Sequence, residues 1–513
     1  MQGEKCEMRT KQALKNVVYS LLLQLITAIS GLIIPRFFIA LYGSSTNGLV
    51  SSIGQFISCM GLVEAGIAAA GTVALYFPIS ENDNKTISSI VSAARKFYLR
   101  SGLIFAFLVA ILVFAYPFVV SNEISDVSFI RWMIIVLSVN GLVDYFFLGK
   151  YRILLQADQH GYIISAAQII GVIVTMIASI ILMEMQFSAL FVKIVAAVVY
   201  LLRSVAVAIY VRKHYPLISF YEKPNFEAFG QRWAALLHQI VGLIVTNTDI
   251  VVLTLMLPQN ALMIVSVYTV YNLVASALQG LMTSISNGLG SGFGEVIARD
   301  EKEVLEKSFS NYEYVFFALI FTVYTCMASL MYPFIGLYSS SFSDGEQYLS
   351  WALVVLFTLT GLLQAVRLPG LTIICAAGHY RQTRGRAVFE AVINLSVSIV
   401  LVRPLGIVGV LIGTCASYAY RTSDVIIYNA KHFLPNSLKK TGLRIFRNAL
   451  VSVVLVLAAI RFVPSEISNW LVWFGWAILD GIIVVSVMAV VNYIAEPEEL
   501  KALLKRVKGL VHR

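Results

Sequence analysis

The sequence predicts an all-α polytopic membrane protein of about 14 transmembrane helices. These form two six-helix lobes related by a pseudo-two-fold axis along the membrane normal, plus an extra C-terminal helix pair. Three observations predict it. Fourteen apolar stretches are each long enough to reach across a bilayer core, which takes about 20 helical residues. Lys and Arg collect in every second gap between them, the asymmetry that orients membrane helices. The composition is 58% hydrophobic and 13% charged, with a mean hydropathy of +0.81. That is more apolar surface than a water-soluble domain can hide.

The expected spans are 15–41, 48–77, 97–121, 129–152, 161–183, 188–211, 232–256, 262–290, 309–337, 348–376, 384–403, 406–430, 443–462 and 470–494. None shows the alternation over ~10 residues of an outer-membrane barrel strand. The first run is too long for a signal-peptide core and lacks a small-residue cleavage site, so it reads as the first span.

The charges set the orientation. Lys5, Arg9, Lys11 and Lys15 precede the first span. The even gaps hold Lys85, Arg95, Lys96, Lys150, Arg152, Arg212, Lys213, Lys223, Arg299, Lys302, Lys307, Arg381, Lys431, Lys439 and Lys440, and the tail adds Lys501, Lys505, Arg506, Lys508 and Arg513. The odd gaps have only Arg131, Arg403 and Arg461 at their edges. Both termini are therefore expected in the cytoplasm. The net charge of +10 is spread over loops that face anionic headgroups, so membrane lipids and not nucleic acid are its expected partner. Cys6, Cys59, Cys326, Cys375 and Cys415 are scattered without paired spacing, which predicts neither disulfides nor a zinc site, and no cofactor is expected.

The longest non-membrane piece is the cytoplasmic stretch from Arg212 to Arg232, broken by Pro216 and Pro224. It divides the chain into an N-lobe (1–214), a linker (215–231), a C-lobe (232–430) and a final pair of spans with a basic tail (431–513). A weak internal repeat supports the division. LLLQLITAISGLIIPRF (21–37) and ALLHQIVGLIVTNTDIV (235–251) align without a gap when Gln24 is set on Gln239. LLQADQHGY (154–162) before the fifth span pairs with IICAAGHYRQ (373–382) before the eleventh, leading into helices that carry Gln168 and Glu390. Trp470, Trp473 and Trp476 near the outer end of the last span read as interfacial anchors.

Ionisable residues inside spans are the functional candidates, because burying them in lipid is costly. They are Arg36, Glu64, Asp144, Lys193, Arg203, Asp249, Arg367, Glu390, Arg421 and Asp424. Arg421 and Asp424 are i,i+3 neighbours, which points to a local ion pair. Lys193 can snorkel to an outer end. Glu390 and Asn394 share a face and suit interhelical hydrogen bonding. Arg36, Glu64, Arg203 and Asp249 sit deeper, with no opposite charge on the same turn. In the repeat alignment Arg36 lies two positions beyond Asp249's counterpart, Ile34, so the two charges are placed at similar depth on equivalent helices. Arg36, Arg203, Arg367 and Arg421 are the expected substrate-binding cations, since guanidinium suits phosphate. Glu64, Asp144, Asp249 and Glu390 are the expected coupling or gating groups.

KNVVYSLLLQLITAISGLIIPRFFIALYGSSTNGLVSSIGQFI (15–57), LLQADQHGYI before the fifth span and TNTDIVVL (246–253) carry a family likeness. The chain resembles the polysaccharide-transporter branch, the Wzx-type flippases, of the multidrug/oligosaccharidyl-lipid/polysaccharide exporter superfamily. Its fourteen spans exceed the twelve usual there and resemble the related lipid II flippase. The resemblance implies a polyprenyl-diphosphate-linked oligosaccharide, moved from the cytoplasmic to the outer leaflet of a bacterial plasma membrane for cell-surface polysaccharide export. Cavity cations would hold the diphosphate while the lobes rock in alternating access. A coupling ion, H+ or Na+, is the other expected partner. Two rival functions are weighed against it. A drug or cation antiporter of the same superfamily needs an acidic cavity, and the intramembrane charges here are mixed. A membrane glycan polymerase or ligase commonly carries its catalytic groups on a large outer loop, and no predicted outer loop exceeds about a dozen residues. With no Walker A, GxSxG or HExxH sequence either, an enzyme is not expected.

Overall fold

The computed structural model describes residues 2–64, 66–229, 242, 247–290, 293–299, 301–342, 348–435 and 437–499. Most of the seventh predicted span, with His238 and Gln239, and the basic tail from Lys501 lie outside these residues. All regular structure among the described residues is helical.

In chain order the helices are α1 (Gln2–Tyr42), α2 (Ser44–Met60), α3 (Ile67–Glu81), α4 (Asn84–Val120), α5 (Val127–Val143), α6 (Gly149–Ala157), α7 (Gly161–Glu184), α8 (Ala189–His214) and α9 (Asn247–Met256). They continue as α10 (Ala261–Gly290), α11 (Phe293–Ala298), α12 (Lys302–Ser339), α13 (Trp351–Val366), α14 (Leu368–Ala376), α15 (Tyr380–Leu405), α16 (Ile407–His432), α17 (Ser437–Phe462) and α18 (Trp470–Ala495). Short polar side chains ahead of apolar runs start several of them. Asp83 accepts from the Lys85 and Thr86 amides, Asp126 from Phe129 and Asn469 from Leu471, each satisfying donors that a helix start leaves free.

Eleven of these segments are long and apolar enough to cross a membrane, and twelve if α2 and α3 form one bent span. The predicted count of fourteen differs for identifiable reasons. The second span is broken, the seventh is described only over α9, and α16 carries Arg421 and Asp424 through its middle. The faces of α4 show how the chain suits lipid. Tyr98, Phe105, Val109, Leu112 and Tyr116 are buried, while Leu103, Phe107, Phe114 and Phe118 are exposed, Phe118 at 79%. Two apolar faces on one helix fit a bilayer surround.

The chain forms two compact units, Met1–Thr269 with Phe342–Glu346, and Val270–Ser341 with Gln347–Arg513. In the first, α9 and the start of α10 join α2 and α4. Asn47 donates to Ser266 (2.8 Å), Ser52 bonds Thr254 (2.8 Å), and Tyr116 donates to Ser52 (2.8 Å). Glu123 caps α10 by accepting from the Ala261 and Leu262 amides. Gly48 touches the backbone at Leu262, where a Cβ would lie 1.7 Å from the carbonyl oxygen. In the second unit α12 packs against α13, α17 and α18, and α15 against α16.

The repeat extends well beyond the paired turns. A shift of 219 residues carries Val120, the end of α4, onto Ser339, the end of α12, and Gly161, the start of α7, onto Tyr380, the start of α15. The two turns share one hydrogen-bond pattern. The His160 amide bonds Leu155 O (2.8 Å) and the His379 amide bonds Ile374 O (3.1 Å), one residue after a left-handed Gln159 (φ 57) or Gly378 (φ 68). This is the Schellman-type ending that closes a helix. The preceding span is broken in both copies, by a π-turn over Asp144–Leu148 between α5 and α6, and at Arg367 between α13 and α14. The same shift carries Leu148 onto Arg367.

Candidate functional site

In the first unit the charges gather at two helix breaks. The 3-10 turn Gly61–Glu64 ends the first half of the second span, and the π-turn begins at Asp144. Such breaks free backbone carbonyls, which at membrane depth need protein partners. Tyr145 donates to Gly61 O (3.2 Å) and Ser101 to Val63 O (3.0 Å). Arg152 bridges the two acids, 2.9 Å from Asp144 and 3.9 Å from Glu64. Sequence placed Arg152 in a gap. The helical run from Val127 continues to Ala157, so Arg152 lies within the same candidate span as Asp144. Gly149 leaves room here for the buried Tyr98 ring, which a Cβ would meet at 2.5 Å.

The chain of charges continues through Tyr200. Its hydroxyl donates to Asp144 (2.6 Å), and the Arg203 guanidinium lies 4.1 Å from its ring centroid. The series Glu64, Arg152, Asp144, Arg203 is neutral overall, with its positive end at Arg203. That end opens into a cavity of about 190 Å³ lined by Ser30, Asn140, Thr175, Tyr200 and Arg203 with apolar neighbours. No carboxylate pairs with Arg203 among the described residues. Gly171 lies against the Arg203 stem, 2.9 Å from where its Cβ would stand. The repeat shift of 219 carries Gly171 onto Glu390. Where the second unit places a carboxylate, the first has a hydrogen atom and a cavity.

The second unit binds its charges to one another. Glu390 accepts from Arg367 (2.5 Å) and lies 3.6 Å from Arg421 Nε. Arg421 also holds Asp424 (2.8 Å), the expected local pair, and Asp424 accepts from Arg386. Arg367 covers the Tyr418 ring at 4.6 Å. Asn394 donates to Thr414 (3.1 Å), the interhelical role expected of its face. Thus Arg367, Arg421 and Glu390 come together, and Glu64 with Asp144 come together around Arg152. Arg36 lies on α1, half-buried. Asp249 lies on α9, buried, and accepts from the Tyr268 hydroxyl (2.9 Å). Lys193 sits 4.5 Å from the Phe38 ring centroid.

Several groups escaped the sequence reading. Arg386 enters the second network from the start of α15. Asp480 is buried mid-helix on α18. The largest omission is a hub at the start of α17. Arg444, 1% exposed, binds Glu313 of α12 (3.1 Å), Glu496 past α18 (2.5 Å) and the Ser310 carbonyl (2.9 Å). Thr441 donates to Glu313, and Arg447 and Lys440 hold Glu496 and Glu499. A signal existed in the polar stripe Thr441, Arg444, Asn448, spaced to share one helix face. Burial pushes the Glu496 carboxyl up, but hydrogen bonds and charge from Arg444 and Arg447 outweigh it and hold it below its usual range. At the turn before α7, Asp158 bonds His160 (3.1 Å) and accepts from Tyr215 (2.5 Å), and Gln12 of α1 reaches His160 (3.2 Å). The Asp158 hydrogen bond raises the His160 pKa above its usual value. Burial raises that of Asp158, and the His160 and Tyr215 hydrogen bonds lower it further than burial raises it.

No family model and no curated protein matches the chain. Solved structures do match. The lipid II flippase MurJ, in an inward closed conformation, superposes with a TM-score of 0.72 at 15% identity, over 93% of this chain and 99% of that one. An inward-facing multidrug resistance MATE family transporter of the MOP superfamily gives 0.61 at 13% identity, over 83% and 99%. An outward-facing one gives 0.57 at 13% identity, over 84% and 97%. The helical fold of this chain is similar to that of these neighbours. By their titles these neighbours are transporters and a flippase, and the likeness is one of fold, a polytopic helical membrane protein.

Proposed function

We propose that the chain is a flippase for a polyprenyl-diphosphate-linked oligosaccharide in a bacterial plasma membrane. Its lobes, residues 1–214 and 232–430, would alternate access to the two leaflets, with both termini cytoplasmic. The supporting observation is Arg203, a cation within the predicted sixth span that lines the cavity with Ser30, Asn140, Thr175 and Tyr200 and pairs with no carboxylate among the described residues. A cation in a low-dielectric cavity seeks an anion, and guanidinium with Ser, Thr, Asn and Tyr donors suits phosphate oxygens. These intramembrane acids offer less to a cationic substrate, because in the first unit Asp144 is held by Arg152 and Tyr200, and in the second Glu390 and Asp424 are held by three arginines.

A drug or cation antiporter is the second reading. It draws on Glu64, which stands 3.9 Å from Arg152 and is the weakest-held acid of the first network. The two separate in cells. On depletion the flippase reading expects lipid-linked glycan to accumulate, with rescue by the wild type and Arg203→Lys but not by Arg203→Ala. Rescue by Arg203→Ala at normal membrane expression would refute the role of Arg203. Hypersensitivity to cationic drugs without glycan accumulation would favour the antiporter.

A further inference from the structure

Three cations meet at the basic end of the first unit, apart from the Arg203 cavity. Arg95 comes from α4, Lys150 from the start of α6 and Arg212 from the last turn of α8. Arg95 and Arg212 lie near enough to Lys150 to repel its ammonium. None of the three pairs with a carboxylate among the described residues. Lys150 is half-buried, 5.0 Å from the centroid of the buried Tyr151 ring. Like-charged side chains gathered on one face suit an anionic partner.

The segment after α8 builds the rest. Ser219 is pinned to α4 through its amide to Ser88 (3.0 Å), and the Asn225 amide bonds Ser89 O (3.2 Å). This lays Phe220 edge-on against Tyr151 (5.1 Å between centroids) and Tyr221 under Arg95 (4.1 Å). Leu217 and Tyr221 are each 75% exposed. An apolar ledge beside unpaired cations suits a molecule with a phosphate head and an apolar body. The repeat offers a contrast. A shift of 219 carries Arg95 onto Tyr314, over whose ring Arg444 lies at 5.6 Å. There the cations Lys440, Arg444 and Arg447 are neutralised by the chain's own Glu313, Glu496 and Glu499. Among the described residues of the first unit, no carboxylate forms such a pair with Arg95, Lys150 or Arg212.

We propose that Arg95, Lys150 and Arg212, with the Leu217–Tyr221 ledge, form a binding site for the phosphate headgroup of a lipid. The site is separate from the Arg203 cavity and does not rest on the flippase reading. Its ligand comes either from a bulk anionic phospholipid or from a polyprenyl diphosphate.

The test uses the purified full-length protein, delipidated and mixed with dioleoylphosphatidylglycerol or dioleoylphosphatidylcholine, with retained lipid counted by native mass spectrometry. The wild type should retain the phosphatidylglycerol in preference to the zwitterionic lipid. The triple variant Arg95→Gln, Lys150→Gln, Arg212→Gln should bind it on the order of 100-fold more weakly, given roughly five-fold for each cation at an anionic surface. Lys150→Arg should retain it, and size-exclusion profiles report folding. Farnesyl diphosphate assigns the source. If it displaces phosphatidylglycerol from the wild type at equimolar concentration, the site prefers a diphosphate lipid. If it does not, the ligand is bulk phospholipid. Equal phosphatidylglycerol retention by the wild type and a folded triple variant, with farnesyl diphosphate binding also unchanged, overturns the site.

Discussion

Arg444 sets the strongest stability test. Arg444→Ala removes a guanidinium that is 1% exposed and binds Glu313, Glu496 and the Ser310 carbonyl. The three groups lose unequally. Glu496 keeps Arg447 (2.9 Å), whereas Glu313, a buried acid, keeps only the Thr441 hydroxyl among the contacts described above. An uncompensated buried charge costs about 3–5 kcal/mol, so most of the loss belongs to Glu313. Adding Glu313→Gln neutralises that charge. The double variant should then sit only about 1–2 kcal/mol below the wild type, the scale of lost hydrogen bonds. The coupling between the two sites would be about 2–3 kcal/mol. Equilibrium unfolding in mixed detergent–dodecyl sulfate micelles, followed by circular dichroism, measures all three variants. A cost below about 1 kcal/mol for Arg444→Ala, or a double variant weaker than both singles, would refute the reasoning.

The remaining predictions use the same assay or simple variants of it. Gly149→Ala would drive a Cβ to 2.5 Å from the buried Tyr98 ring and should cost about 1–3 kcal/mol by overpacking; Tyr98→Leu in that background should recover most of it, and no recovery would count against the packing account. Asn394→Leu removes the bond to Thr414 between α15 and α16 and should cost about 0.6–1.5 kcal/mol, so a stabilised variant contradicts it. The His160–Asp158 link is pH-dependent with a definite sign. The raised His160 pKa stabilises fully below its unfolded value of about 6.5 and is lost as pH climbs through the higher folded value. The lowered Asp158 pKa stabilises above about 3.9 and is lost in stronger acid. His160→Gln should therefore flatten the loss of stability as pH rises above about 6.5, and superimposable profiles would contradict the link.

Much of the fold was legible because hydropathy and positive charge act residue by residue. The predicted limits 161–183 and 470–494 fall within two residues of α7 and α18. The paired turns at His160 and His379 were legible as well, since small and polar residues end helices through local backbone bonds. The charge networks were legible only in part. Arg421 and Asp424 share a helix face, so their pair follows from spacing. The bridge from Arg152 to Glu64 and Asp144 depends on a 3-10 break and a π-turn, neither of which has a periodic sequence signal. Arg203 could be nominated from the sequence, but its lack of a paired carboxylate among the described residues could not. That absence emerges only when the 219-residue register sets Gly171 beside Glu390. The Arg444 hub was hidden because cations and acids near span ends read as ordinary interfacial charge.

The central claim, that the chain moves a lipid-linked diphosphate with Arg203 engaging the anion, is tested most directly by reconstitution. A fluorescent polyprenyl-diphosphate oligosaccharide placed in both leaflets of proteoliposomes becomes quenchable by a membrane-impermeant reductant only where it faces outside. The account predicts protein-dependent loss of the protected fraction with the wild type. It predicts at least about tenfold slower loss with Arg203→Ala, equivalent to about 1.4 kcal/mol of lost transition-state stabilisation, and partial activity with Arg203→Lys. A protected fraction that persists with folded wild-type protein, or is lost equally fast with Arg203→Ala, would contradict it.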